Sequence, residues 1–227
     1  MDLDELFILL QVNDAGFPIG SYTHSLGLET YIQQGKVKDA NSARLYIEQN
    51  LRTSFLYTEL LPLALAYDAA KDEDLDYISF LEDLLFTSKS PVELRNAALK
   101  LGTRFGSTSI KVKKPGDIMA RYIERVGKRV SHAIAYAVFC AGCGIEKEAA
   151  MAAYLFAQSA SMVTNCVKTV PLSQSDGQII LSGLHALFTE LLSKIGTLTE
   201  DDLCRSTPGL DIASMQHERL YSRLYIS

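Results

Sequence analysis

Two short segments of this 227-residue chain carry residue types that do chemistry. The first, Thr23-His24-Ser25-Leu26-Gly27, is one residue short of the Gly-x-Ser-x-Gly turn that exposes a nucleophilic serine in many hydrolases. Thr23 replaces the first glycine, and no strand pattern precedes the segment to build the strained elbow. Catalysis by His24 and Ser25 is therefore a remote reading. The plainer one makes Asp14-Ala15-Gly16-Phe17-Pro18-Ile19-Gly20-Ser21 a turn-rich loop whose Ser21 caps the following helix. Phe17, between glycine and proline, is then either a plug in the core or an exposed anchor for a partner.

The second segment is Cys140-Ala141-Gly142-Cys143, at the spacing of redox and metal motifs. No second cysteine pair completes a closed metal site, and Cys166 and Cys204 stand alone. On a helix the two thiols share a face beside small residues, which suits close packing. A soft-metal site would need His132, about two turns earlier, and further ligands from a neighbouring helix.

A basic run, Lys111, Lys113, Lys114, Arg121, Arg125, Lys128 and Arg129, is either a solvated face or a contact for an acidic partner or phosphates. No Gly-x-x-x-x-Gly-Lys-Ser/Thr loop accompanies it, so nucleotide hydrolysis by this chain is not expected.

The elements that position these groups read as helices from end to end. Ile180, Leu184, Leu187, Phe188, Leu191 and Ile195 recur at steps of three and four, predicting one amphipathic helix over Asp176 to Ile195. Ser90-Pro91-Val92-Glu93 predicts a helix start in which Ser90 caps and Glu93 reaches back to it. Further helices are predicted over Leu3 to Val12, Thr23 to Gln34, Asn41 to Leu56, Thr58 to Ala70, Asp74 to Thr87, Asp117 to Arg125, His132 to Cys143 and Glu146 to Val170. Gly106 to Gly116 is the one long stretch expected to be irregular, and Ser175 or Asp176 is expected to cap the helix after Pro171. The fold class is all-α: a single-domain bundle of about nine or ten helices over residues 1–209, followed by a C-terminal docking tail over residues 210–227.

Composition agrees with a folded globular chain, at 48% hydrophobic and 22% charged residues. A net charge of −5 argues against nucleic-acid binding, which relies on cations neutralising phosphates. The acidic start Met1-Asp2-Leu3-Asp4-Glu5 is unlike a secretory signal, and the longest apolar stretch, Ala133 to Ile145, is too short to span a bilayer. A cytoplasmic protein with free thiols and no membrane contact is expected. Its tail, from Ile212 to Tyr225, mixes Met, Leu and Tyr with Arg and His, the types enriched at protein interfaces.

Taken in order, the loop Asp14 to Glu29, the Glu93-Leu94-Arg95 and Gly102 spacing, His132, the run Asn165 to Gln178 and the tail Asp211 to Ser227 resemble the urease accessory protein F family. Val167-Lys168-Thr169-Val170-Pro171-Leu172 and Met215-Gln216-His217-Glu218 are the most specific pieces. Ser173 stands where that family usually has glycine, Cys140 replaces a small residue, and Ala98 sits near a frequent serine.

The resemblance implies an all-helical, usually homodimeric, non-enzymatic protein without a cofactor. It would join a urease accessory GTPase and the H or D accessory protein on apo-urease and regulate GTP-dependent nickel insertion. By the same likeness Asp14, Phe17, Pro18, Gly20, Ser25, Gly27, Leu28 and Glu29 form a partner-facing patch, together with Pro171, Leu172, Gln174 and Gln178. Met215, His217, Glu218, Tyr221, Ser222, Arg223 and Leu224 order on binding the H or D protein, while Arg95 and Asn165 support the fold. The alternative is a nickel carrier using Cys140, Cys143 and His132 or His217.

Overall fold

The computed structural model describes residues 1–20, 27–205, 207–221 and 223–225, and among these it is helical, with no strand. The chain opens with α1 (Leu3–Val12), whose Asp2 caps the Glu5 amide while the Glu5 carboxylate returns to the Asp2 amide. Then follow α2 (Leu28–Gln33) and α3 (Ala40–Asn50), which runs without a break through a π-helical segment, Leu51–Leu60, into α4 (Leu61–Lys71). Pro62 accounts for the wider turns. It has no N–H to give and its ring crowds the carbonyl four residues back, and a π ladder ahead of it relieves that conflict.

The remaining elements are α5 (Leu75–Ser88), α6 (Val92–Val112), α7 (Ile118–Val126), α8 (His132–Gly142), α9 (Lys147–Thr169), α10 (Gln174–Gly183), α11 (His185–Ile195), a 3₁₀ turn (Glu200–Asp202) and α12 (Pro208–His217). Taking Ala40–Lys71 and Gln174–Ile195 each as one rod leaves ten rods, in line with the expected bundle. No helix of the described residues is long and apolar enough to cross a membrane.

Helix α8 is the axis of the fold. Every residue from His132 through Ala141 is buried, as befits a helix that is apolar all round, and α4 and α6 pack along it with α5, α7 and α9 outside. Phe105 of α6 faces Phe17, His132, Tyr136 and Phe139 at ring-centroid distances of 5.2–5.8 Å. Gly142 permits a close crossing: a Cβ there would lie 2.4 Å from the Pro115 carbonyl oxygen. The small residues of the Cys140–Cys143 segment thus serve helix packing.

Five sequence expectations need correction. Gly106 to Val112 is helical, because Phe105 and Ser109 are buried on one face of α6 and packing overrides the poor propensity of Gly, Ser and Thr there. The break expected near Tyr57 is absent, and the Asp176 to Ile195 rod is interrupted at Leu184, although its six stripe residues are all buried. The cap of α10 is Ser173, whose φ of −77° needs no glycine, with Asp176 closing the box. The residue before α6 is Pro91 and not Ser90, and there is no side-chain cap because the proline ring carries no hydrogen-bonding group.

Four residues of the basic run are paired within the chain. Arg121 and Arg125 of α7 and Arg129 just after it pair with Glu73, Asp76 and Asp83 beside and on α5, and Lys113 reaches Asp4 at 2.7 Å. Each exposed pair contributes at most about 1 kcal/mol, but together they orient α7 on α5.

Candidate functional site

The sequence-selected residues converge where α2, the start of α6 and the C-terminal segment meet. Gly27, at φ 87°, turns the chain into α2, and a Cβ there would lie 3.0 Å from the Ser214 hydroxyl of α12. That close approach lays α12 across α2, where the Thr30 hydroxyl donates to the Ala213 carbonyl at 2.7 Å.

Glu29 and His217 lie at the centre of this contact. Glu29 is 6% exposed and His217 has no exposed surface. His217 sits between two carboxylates, with Nε2 2.8 Å from Glu29 and Nδ1 2.8 Å from Glu93 of α6. The Leu224 and Tyr225 amides donate to Glu29 at 2.8 and 3.1 Å, and Arg223 donates to Glu93 at 3.1 Å. A buried carboxylate is tolerable only when its lone pairs are met, and among the described residues His217, Leu224 and Tyr225 of the C-terminal segment meet those of Glu29.

This arrangement divides the selected residues. Leu28, Glu29 and His217 are interior contacts that fix the segment, whereas Met215, Glu218, Tyr221, Arg223 and Leu224 present exposed surface around them. Tyr221 and Leu224 are 105% and 78% exposed, and Val92, Ile212 and Met215 surround a shallow groove between α6 and α12. Ser25 and Ser222 lie outside the described residues, as does His24.

In the loop after α1, Phe17 is a core plug on Phe105, while Asp14 and Pro18 stay exposed and Gly20 is half-buried. Arg104 of α6 donates to the Ile19 carbonyl at 3.3 Å, fixing the loop to the bundle. The turn between α9 and α10 is held by its own Ser173–Asp176 bonds; Pro171, Gln174 and Gln178 are exposed and Leu172 packs partly into the core.

No metal-binding cluster of His, Cys, Asp and Glu exists among the described residues. His132 and Cys140 are eight residues apart on α8, a rise of about 12 Å, too far for a shared ion. Burial pushes the Cys143 thiol up to about 11 and the Cys140 thiol further up, so neither is a ready thiolate. Burial holds His132 at about 4, hence neutral, among the rings of Phe105, Tyr136 and Tyr154.

Two polar clusters had no sequence signal. Glu59, on the π-helical segment, receives Lys89 and the Tyr154 hydroxyl, each at 3.1 Å, beside a cavity of about 120 Å³. Glu82 of α5 receives the Tyr122 hydroxyl and the Ser131 amide at the start of α8. Fold and site together define a class of all-helical protein in which a C-terminal segment, anchored inward on Glu29 and Glu93, presents Ile212, Met215, Tyr221 and Leu224 at the surface.

Comparison with known proteins narrows that class. The family model described as UreF matches residues 37–185. Proteins named urease accessory protein UreF are similar along their whole length: one from Bacillus sp. (strain TB-90) is 35% identical over 99% of this chain and 100% of its own. One from Actinobacillus pleuropneumoniae is 34% identical over the same shares, and one from Lachnoclostridium phytofermentans 32% over 96% and 97%. The chain belongs to the UreF family of urease accessory proteins.

Proposed function

We propose that this protein bridges the urease accessory GTPase and the H or D accessory protein on apo-urease, and that by binding one nucleotide state of the GTPase more tightly it regulates nickel insertion. Differential affinity is the only means by which a binding protein shifts such an equilibrium, and it requires no catalytic group here. Asp14, Pro18 and Gly20 with the Pro171–Gln178 turn form one partner-facing patch, and the segment from Met215 to Leu224 forms the other.

The observation that carries this reading is the C-terminal segment itself. Its polar atoms are anchored inward on Glu29 and Glu93, while Tyr221 and Leu224 stand exposed. Exposed large apolar side chains on an ordered segment suit a docking surface. Mixing the chain with the GTPase, GTP, magnesium and nickel, and separately with the H or D protein, on a sizing column tests the reading. Co-elution with both is expected, and separate elution from both would overturn it.

A further inference from the structure

The cavity beside Glu59 is walled mainly by apolar side chains, among them Phe55 of the π-helical segment, Leu94 and Leu101 of α6, Met162 of α9 and Leu210 of α12. Phe55 and Tyr154 stack on one side of it, with ring centroids 6.0 Å apart. A π-helical stretch within an α-helix often marks a functional site, and this one sets Phe55 and Glu59 on the cavity wall.

The polar part of the wall restricts what the cavity can hold. Lys89 and the Tyr154 hydroxyl both donate to Glu59, each at 3.1 Å, so the carboxylate and the ammonium answer one another within the chain. A charged occupant would bring a charge with no counter-charge left to meet it. An uncharged one fits.

His132 supplies the group that lacks a partner. Its ring lines the cavity, is 7% exposed, and lies with Nδ1 3.4 Å from the Tyr154 hydroxyl. Tyr154 gives its proton to Glu59, so towards His132 its oxygen accepts and Nδ1 carries the N–H. Nε2 is then a buried lone pair, and no donor meets it. A buried acceptor left unmet is costly, and a ligand that donates to it recovers that cost.

We propose that this cavity binds a small uncharged molecule that combines an apolar ring with a hydroxyl, phenol being the simplest, the hydroxyl donating to His132 Nε2 and the ring lying among Phe55, Leu101 and Met162. The size agrees: the cavity measures about 120 Å³, and an apolar cavity of ~150 Å³ takes up benzene. His132 also borders a larger groove of about 480 Å³ between α1 and α9, but Ala98 of α6 lines the smaller cavity alone. Ala98 therefore tells the two apart.

Titration of phenol into the full chain, followed by calorimetry and by the urea midpoint, tests the site. Saturable binding of a single molecule per chain is expected, with a midpoint that climbs as phenol exceeds its Kd. Benzene, which fills the cavity without donating, is expected to bind about tenfold more weakly, and benzoate, which brings a charge, more weakly still. His132→Phe is expected to bring phenol down to the level of benzene. Ala98→Leu, a half-buried change that narrows the cavity, is expected to abolish phenol binding with helicity unchanged.

Absence of saturable phenol binding, equal affinity for phenol and benzene in the unaltered chain, or phenol binding undiminished in Ala98→Leu would each overturn the proposal. The site is separate from the exposed Tyr221 and Leu224 side chains, so none of these results bears on the bridging role.

Discussion

The Tyr122 hydroxyl of α7 donates to the Glu82 carboxylate of α5 in the interior of the bundle, and the Ser131 amide donates to both oxygens of the same group. One side chain thus ties three helices, closing the N-terminus of α8 from a position 49 residues away.

Burial raises the Glu82 carboxyl to about 7 from an ordinary 4.5. The folded protein therefore holds this proton more tightly than the unfolded chain does. The stabilisation is complete below about pH 4.5 and is lost as pH rises through about 7, a change of roughly 3 kcal/mol. Glu82→Gln, which keeps an acceptor for Tyr122 and Ser131, is expected to remove this decline. Urea midpoints at pH 5 and pH 8 check it.

His132 has the opposite sign. Burial lowers it from 6.5 to about 4, so the unfolded chain binds the proton first as pH falls. Its contribution is present above about 6.5 and is lost as pH falls towards 4, again by roughly 3 kcal/mol. In a Glu82→Gln background, where the opposing titration is gone, His132→Phe is expected to flatten the acid limb of the urea midpoint curve. Phenylalanine suits a site walled by Phe105, Tyr136 and Tyr154.

Phe105 joins the loop after α1 to the central helix, with no exposed surface and four aromatic neighbours. Phe105→Ala is expected to destabilise the fold by about 3–5 kcal/mol, the range for emptying a well-packed aromatic site. Chemical denaturation with unchanged far-ultraviolet helicity before the transition is the expected signature.

Much of the fold was legible because amphipathic periodicity reports burial directly. The limits of α1 match at Leu3 and Val12, and the stripe from Ile180 to Ile195 is buried throughout. Local exceptions escaped where packing outweighs propensity, as in α6 beyond Gly106, or where a proline is met by wider turns, as at Pro62.

The site was legible only in part. Glu29 and His217 each stood out by type and by family likeness, but 188 positions separate them, and spacing along a chain says nothing about such a pairing. Glu93 looked like a helix cap because its local motif is a capping box. Its stronger partners, His217 and Arg223, come from the far end of the sequence. Phe17, open to two readings in the sequence, proves to be a plug on Phe105.

In the proposed role, the exposed part of the C-terminal segment recognises a protein partner. Tyr221 and Leu224 are the side chains to change, since at 105% and 78% exposure they contribute little to the fold. The measurement is the affinity of Tyr221→Ala/Leu224→Ala for the H or D accessory protein beside its own urea midpoint. An unchanged midpoint with binding weakened more than tenfold is expected, as for exposed anchors at an interface. Unchanged affinity would contradict that role.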